Sequence, residues 1–347
     1  MSRITYILYQ YPQLSESYAS TEMRSILDKH DIDIISLVAA DVANKDDALP
    51  FTVIDNEAEI LNRTRAFKPD IIHTHWLGPR LKVSVNLSKA LDVPLTIRAH
   101  SFDVLWPKPR RRWYQSASKF VDTSSAIAEN LDFLCSELCL GILTFPFSVQ
   151  RLIGAGIPEN KLIPCRPVLN FDRFYDESPN GSGVLNCGAA LPKKDFIAYL
   201  ELAQLVPDKH FDLYSIGYDT EKIVHRNNEL NRPVTIFPPV QQIDMPAIYK
   251  SHEWFVYTAN LSLGTVGWPV SISEAQASGV GVCMPNIRPD IKELLGPAGY
   301  IYNSIDEVAE IIRQPYPDHM RQAGFEHAKL SDIKNHIHLL TDLWKKV

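Results

Sequence analysis

The chain has 347 residues, which is enough for about two domains. Its composition, 45% hydrophobic and 22% charged, is that of an ordinary globular protein. Residues 1–170 balance 19 basic against 19 acidic side chains, so the rest of the chain carries the whole net charge of −6, and a nucleic-acid-binding function is not expected.

Five cysteines (Cys135, Cys139, Cys165, Cys187 and Cys283) are scattered with no CxxC pair. That pattern predicts reduced thiols and a cytoplasmic setting rather than a disulfide framework or a zinc site. The opening MSRITYILYQYPQ has too short an apolar run for a signal peptide. No segment approaches the roughly 20 apolar residues of a spanning helix, which leaves peripheral contact with a membrane surface open.

In chain order, the first half predicts strands at Ile4–Tyr9, Asp33–Val38, Asp70–His75, Pro94–His100 and Lys119–Asp122. Helices are expected at Ser17–Asp28, Glu57–Ala66 and Arg80–Leu91. The stretch RFYDESPNGSG, Arg173–Gly183, has little to bury and reads as a linker. The rhythm then restarts, with strands expected at Gly183–Cys187, Phe211–Ile216, Val234–Phe237, Trp254–Thr258, Val280–Met284 and Tyr300–Tyr302. Helices are expected at Lys194–Leu205, Met245–Ser251, Ser273–Ser278 and Ile305–Arg313. Strand–helix alternation of this kind implies parallel, doubly wound α/β sheets. The tail places Ile333, Ile337, Leu340 and Trp344 on one helical stripe. The expected domains are 1–172 and 184–330, joined by 173–183 and followed by a helix at 331–347.

Doubly wound sheets bind ligands at the carboxyl ends of their strands. Polar residues gather there: QYPQLSES after the first strand, His73, His75 and Trp76 around the third, and His100 and Asp103 after the fourth. In the second half, GAALPKKD at Gly188–Asp195 follows a strand directly. His73 and His75 share one face at i, i+2 and could hold a metal, but no third ligand stands at a suggestive spacing, so no metal is expected.

The stretch GWPVSISEAQASGVGVCMP, Gly267–Pro285, runs from a loop into a short helix carrying Glu274 and stops at Gly279. Ser271 and Ser273 suit an N-cap and Gly279 suits the position after the C-cap. Two readings fit: an ordinary loop–helix–strand unit with a solvated glutamate, or a helix start that receives a phosphate while the glutamate grips sugar hydroxyls. Lys193 and Lys194 open a helix against its dipole, which suits either two solvated lysines or an anionic partner such as a diphosphate. The run Lys108–Arg112, KPRRR, between Trp106 and Trp113, fits an exposed loop or a contact with anionic headgroups.

Six segments in order resemble the GT-B glycosyltransferases of family 4, over nearly the whole chain. YPQLSESYASTEM resembles PxLSETFxxxE, and PDIIHTHW is similar to a DxIHxH strand. LTIRAHSFDV resembles xTxHGxD, and RPVLNFDRF resembles xNGVDxxxF. FPPVQQIDMPAIYKSHEWFVYTA resembles the nucleotide-binding stretch, and SISEAQASGVGVCMP resembles xxxEAMACGxPVxxx. The resemblance implies two Rossmann-like domains facing a central cleft, with the terminal helix crossing back to the first.

It also implies a retaining, metal-independent transfer of a sugar from a nucleoside-diphosphate sugar, with a UDP-sugar as substrate and no tightly bound cofactor. The acceptor would be a saccharide, a lipid-linked saccharide or a small molecule, as in polysaccharide biosynthesis at the inner face of a membrane. His100 and Glu274 are the implied catalytic residues. Gly188, Lys194, Val270 and Ser271 would hold the diphosphate, and Val240 and Glu274 the nucleoside. Ser15, Glu16, His75 and Asp103 would lie on the acceptor side.

The chain departs from the pattern at two positions. Val266 stands where the family has the first of two glutamates eight apart, and Ala189 stands where an arginine serves the diphosphate. Arg288 is a candidate to replace that charge. These departures keep two other functions in view: a non-catalytic GT-B module that partners an active transferase, and a GT-B sugar-nucleotide hydrolase or epimerase.

Overall fold

The computed structural model describes residues 1–78, 80–101, 103–105, 123–217 and 219–346. The expected strand at 119–122 and the basic run at 108–112 lie outside the described residues. The chain forms two compact units: Met1–Arg166 with Ile333–Val347, and Pro167–Asp332. Among the described residues no helix is long and apolar enough to cross a membrane.

Among the described residues the first unit holds seven strands: β1 (Ser2–Gln10), β2 (His30–Val38), β3 (Thr52–Val53), β4 (Ile71–His75), β5 (Leu95–Arg98), β6 (Cys139–Thr144) and β7 (Leu162–Pro164). They lie in the order β3-β2-β1-β4-β5-β6-β7, with every pair parallel. The winding reverses between β1 and β4, which makes their carboxyl ends the natural ligand position. Alternation along β1 sorts its side chains to both faces: Ile7 joins Ile35, Ile72 and Ile97 in one core, while Ile4, Tyr6 and Leu8 join Ile34, Ile71 and Leu143 in the other.

The chain's end completes that second core. The expected apolar stripe forms two short helices rather than one, Ile333–His336 and His338–Trp344, and Leu340, Leu343 and Trp344 pack beside Tyr6 and Leu143. Gly141 on β6 makes room for them. A Cβ there would fall 2.6 Å from Ile163 Cδ1 and 3.0 Å from Leu343 Cδ1. Trp344 Nε1 donates to Thr96 Oγ1 on β5 at 3.1 Å.

The second unit holds β8 (Gly183–Ala189), β9 (Phe211–Ile216), β10 (Thr235–Phe237), β11 (His252–Val256), β12 (Gly281–Pro285) and β13 (Gly299–Tyr302). Their order, β10-β9-β8-β11-β12-β13, is again wholly parallel, with the reversal between β8 and β11. Trp254, Phe255 and Val256 on β11 and Val282, Cys283 and Met284 on β12 are buried, as strands covered on both faces must be.

The division of the chain falls between Arg166 and Pro167, ahead of the Pro- and Gly-bearing stretch 173–183. That stretch packs as part of the second unit. Lys250 Nζ donates to the Asp176 carbonyl at 2.6 Å, and Asn180 Nδ2 donates to the carbonyls of His252 and Ser278 at 3.1 Å each. Its backbone groups find partners that composition does not reveal.

Candidate functional site

In the first unit the carboxyl ends of β4 and β5 bring His75 and His100 together. His100 Nε2 lies 3.2 Å from His75 Nδ1. Behind them stands Glu22, on the helix Ser17–Arg24, with a side chain sealed from solvent. His75 Nε2 and His73 Nε2 each lie 3.2 Å from Glu22 Oε1, and Tyr6 Oη donates to the same oxygen at 3.3 Å. Arg98 Nε donates to Glu22 Oε2 at 2.5 Å. Burial by itself would raise the Glu22 carboxyl, but Arg98 and His73 hold it well below the usual carboxylate range. Burial pulls His73 down to about 4, and pulls His100 well below the ordinary imidazole range, where His75 and Arg98 add to the effect.

Aromatic rings frame the pair. Tyr18 stacks on His75 at 5.7 Å and tilts against His100 at 4.4 Å. Trp76, held at φ +79°, sets its ring 4.3 Å from His100. A positive φ at a bulky residue is a strained conformation that surrounding structure must enforce. Here the Trp76 amide donates to the Arg98 carbonyl at 2.8 Å.

Two residues expected on the acceptor side, Ser15 and Glu16, sit on the short turn Leu14–Glu16 after β1, with Ser15 exposed. Asp103 is different. It is fully buried, and its carboxylate accepts from the amides of His100 and Leu77 at 3.0 Å. It braces the loops after β4 and β5, which takes it off any surface an acceptor could touch.

Glu22, His73 and His75 place one donor atom each within 4.8 Å of one another, a grouping that could hold a metal ion. The third donor was not expected, because Glu22 lies 51 and 53 residues from the histidines. Arg98 already meets the charge of this carboxylate, and His75 Nε2 hydrogen-bonds its other oxygen, while the buried His73 Nε2 lies close without a hydrogen bond. The carboxylate is therefore paired within an ion-pair network, with His73 Nε2 left unbonded.

In the second unit the candidate residues gather where β8 and β11 end. Gly188 has φ +128°, and Lys194 Nζ fills the space a side chain there would need, 2.1 Å from an ideal Cβ. Lys194 Nζ also reaches the Cys187 carbonyl at 3.4 Å and lies 5.2 Å from the Tyr257 ring centroid. Burial lowers its ammonium below the ordinary lysine range, although Cys187 and Glu274 act in the other direction. The expected helix start at Lys194 is a short 3-10 turn, Pro192–Lys194, and the α-helix begins at Phe196.

Glu274 is 5% exposed and sits in the helix Val270–Ala277. Its Oε1 accepts from Gln242 Nε2 at 2.8 Å and its Oε2 from Tyr249 Oη at 2.9 Å. Burial raises its pKa, against the effect of these two donors. Gln242 and Tyr249 were missed in the sequence, although both fall within the stretch that carries the nucleotide-site resemblance. Val240, two residues before Gln242, is half-buried.

The helix starts three residues earlier than expected, with Pro269 at the N-cap. Neither Ser271 nor Ser273 caps it, and Ser273 Oγ instead donates to Ser331 Oγ at 3.1 Å. The amides of Val270 and Ser271 thus open a helix that no side chain caps. Its other end follows expectation: Gly279 at φ +73° donates to the Gln276 carbonyl and Val280 to that of Ala275, a Schellman motif.

Arg288 is tied down rather than open. Its Nε and Nη2 donate to Asp290 at 2.8 and 3.0 Å, and its Nη1 donates to the Val266 carbonyl. Trp268 Nε1 donates to Asp290 Oδ2 at 2.7 Å. Val266 itself is 3% exposed. The position that departs from the glutamate pair is therefore a packed residue in a braced loop.

No protein-family profile matches this sequence, and no curated protein matches it. Solved structures do. Anabaena HepE in complex with UDP-glucose is 13% identical, with a TM-score of 0.79 over 100% of both chains. Sucrose-phosphate synthase from Thermosynechococcus elongatus is 12% identical, with a TM-score of 0.68 over 100% of this chain and 99% of that one. The lipopolysaccharide outer core galactosyltransferase WaaB is 11% identical, with a TM-score of 0.63 over 99% and 100%. This chain has the GT-B fold. At these identities the likeness speaks for architecture, and the chemistry has to be argued from the residues.

Proposed function

We propose that the protein is a glycosyltransferase that takes a sugar from a nucleoside-diphosphate sugar, with UDP as the carrier. The observation that carries this reading is the second-unit constellation: Lys194 beneath Gly188, the uncapped amides of Val270 and Ser271, and the buried carboxylate of Glu274. A cation and helix-start amides suit a diphosphate, and a carboxylate one turn into that helix suits ribose hydroxyls. Charge builds on the departing diphosphate as the sugar leaves, and fixed donors there stabilise that charge. A saccharide or lipid-linked acceptor would use the first unit, near Ser15 and Glu16; His75, buried with both ring nitrogens engaged, stands behind that surface. Retention of configuration, independence from metal and a cytoplasmic site of action belong to the same proposal.

A second reading, a non-catalytic GT-B module, is favoured by the buried Val266 and by Ala189 at the expected arginine position. One experiment decides. Thermal shift is measured with a panel of nucleoside diphosphates, and donor turnover is then followed with and without saccharide acceptors. UDP binding with acceptor-dependent turnover supports the transferase. Binding without turnover supports the module, and donor breakdown that no acceptor accelerates supports a hydrolase or epimerase. If no nucleotide binds, the donor-site assignment is wrong.

A further inference from the structure

The first-unit network constrains which atom of His100 is free for chemistry. Glu22 accepts only, because Arg98 keeps its carboxylate ionised. A neutral imidazole carries one N–H and one lone pair. His75 Nε2, 3.2 Å from Glu22 Oε1, must hold its ring's proton, because two acceptors cannot face each other at that distance. His75 Nδ1 is then a lone pair. His100 Nε2, 3.2 Å from it, must in turn be the donor. His100 Nδ1 is left as a lone pair, with no hydrogen-bond partner among the described residues.

The flanking groups fit the same assignment. His73 Nδ1 faces Thr96 Oγ1 at 2.8 Å, while its Nε2 lies 3.2 Å from Glu22 Oε1 without a hydrogen bond. Thr96 can donate there because it receives its own hydrogen bond from Trp344 Nε1. The contacts Trp344–Thr96, Thr96–His73, Glu22–His75 and His75–His100 each pair a donor with an acceptor.

We propose that Glu22 and His75 are positioning residues that hold His100 in its Nε2–H form, so that its Nδ1 accepts a hydrogen bond from a sugar hydroxyl. This rests on the glycosyltransferase reading for the ligand, but not for the tautomer. It identifies residues that act through His100 without touching substrate, in the way that a carboxylate behind an imidazole sets which nitrogen is presented.

The test is ring-nitrogen NMR of the full chain, labelled at histidine, at pH 8. Wild type should show His100 protonated at Nε2 and unprotonated at Nδ1. In His75→Phe, a ring of similar size with no acceptor, His100 should become a mixture of tautomers. His75→Gln gives a second variant that keeps a polar partner. In the transfer assay, His75→Phe should lower kcat about tenfold or more with KM little changed. An equal loss in donor hydrolysis without acceptor would place the hydroxyl on the donor sugar, and a loss confined to transfer would place it on the acceptor. A wild-type His100 protonated at Nδ1, or a tautomer unchanged in His75→Phe, would overturn the proposal. Failure to bind any nucleotide would instead remove the transferase reading and leave the tautomer result standing.

Discussion

Lys194 occupies the volume that any side chain on Gly188 would require, with its Nζ 2.1 Å from the position of an ideal Cβ. The glycine is needed twice, once for that space and once for its φ of +128°. Gly188→Ala should therefore push Lys194 out of its place and strain the end of β8, at a cost of about 1–3 kcal/mol. We expect a lower Tm together with weakened UDP binding. A variant that keeps full nucleotide affinity would show that Lys194 does not serve the diphosphate from its present position.

Glu274 gives a prediction whose sign depends on pH. Its folded pKa is raised from the ordinary 4.5, chiefly by burial. Below that ordinary value the carboxyl is neutral in both folded and unfolded chains. As pH rises through the raised value, the folded protein must ionise a buried group, and stability is lost. Glu274→Gln escapes that loss, so the Tm difference in favour of the variant should grow from pH 4 upward and then level off. Nucleotide affinity should fall at the same time, by roughly the 1.5–3 kcal/mol of hydrogen bonds to a charged group. Stability gained with affinity unchanged would remove Glu274 from the ribose.

How much of this was legible in the sequence depends on the range of the interactions. β8, β9 and β12 read clearly because an apolar run bounded by glycine or polar residues is a local signal. Gly279 read clearly because a helix C-terminus needs one residue at positive φ. β3 is only Thr52–Val53, too short to show a period, and CLGILT at Cys139–Thr144 lacks alternation because both its faces are covered. The gathering of His75 and His100 followed from strand-end positions alone. Glu22 did not, since it meets Arg98 across 76 residues of chain, and nothing near Ser17–Arg24 marks that carboxylate as buried. Asp103 and Arg288 were assigned to ligands for a related reason. Each has one partner close in sequence, the His100 amide and the Asp290 carboxylate, and one far from it, the Leu77 amide 26 residues away and the Val266 carbonyl 22 residues away.

The buried network should make the protein acid-sensitive in a defined window. His73 titrates near 6.5 when unfolded and at about 4 when folded, so unfolding takes up a proton between those values. The contribution of His73 is full above pH 6.5 and is lost as pH drops toward 4, a change of about 3 kcal/mol. Glu22 extends the loss below the ordinary carboxylate range, because its folded pKa is depressed. Urea denaturation across pH 4–8 should show the slope, and His73→Gln should flatten it. Removing one ion partner, as in Arg98→Met, should cost about 3–5 kcal/mol at pH 7 by stranding the Glu22 charge. A pH-independent midpoint in wild type would mean that these groups are solvated.

Val266 tests whether the departure from the glutamate pair is a lesion or a rebuilt loop. Were it a lesion, Val266→Glu would restore donor chemistry at little cost. The geometry argues otherwise. The valine is 3% exposed, its carbonyl is held by Arg288, and Arg288 is held in turn by Asp290, which also takes the Trp268 indole. A glutamate side chain at that position enters a packed site where Arg288 is already committed to Asp290 and to the Val266 carbonyl. We expect Val266→Glu to cost about 3 kcal/mol or more, as an unpaired buried carboxylate does, and to gain no turnover. Arg288→Lys should loosen the same loop, because an ammonium cannot reproduce a fork that grips Asp290 and a carbonyl together. Higher donor turnover in Val266→Glu at unchanged Tm would reverse this conclusion and make the missing glutamate a loss of function in this chain.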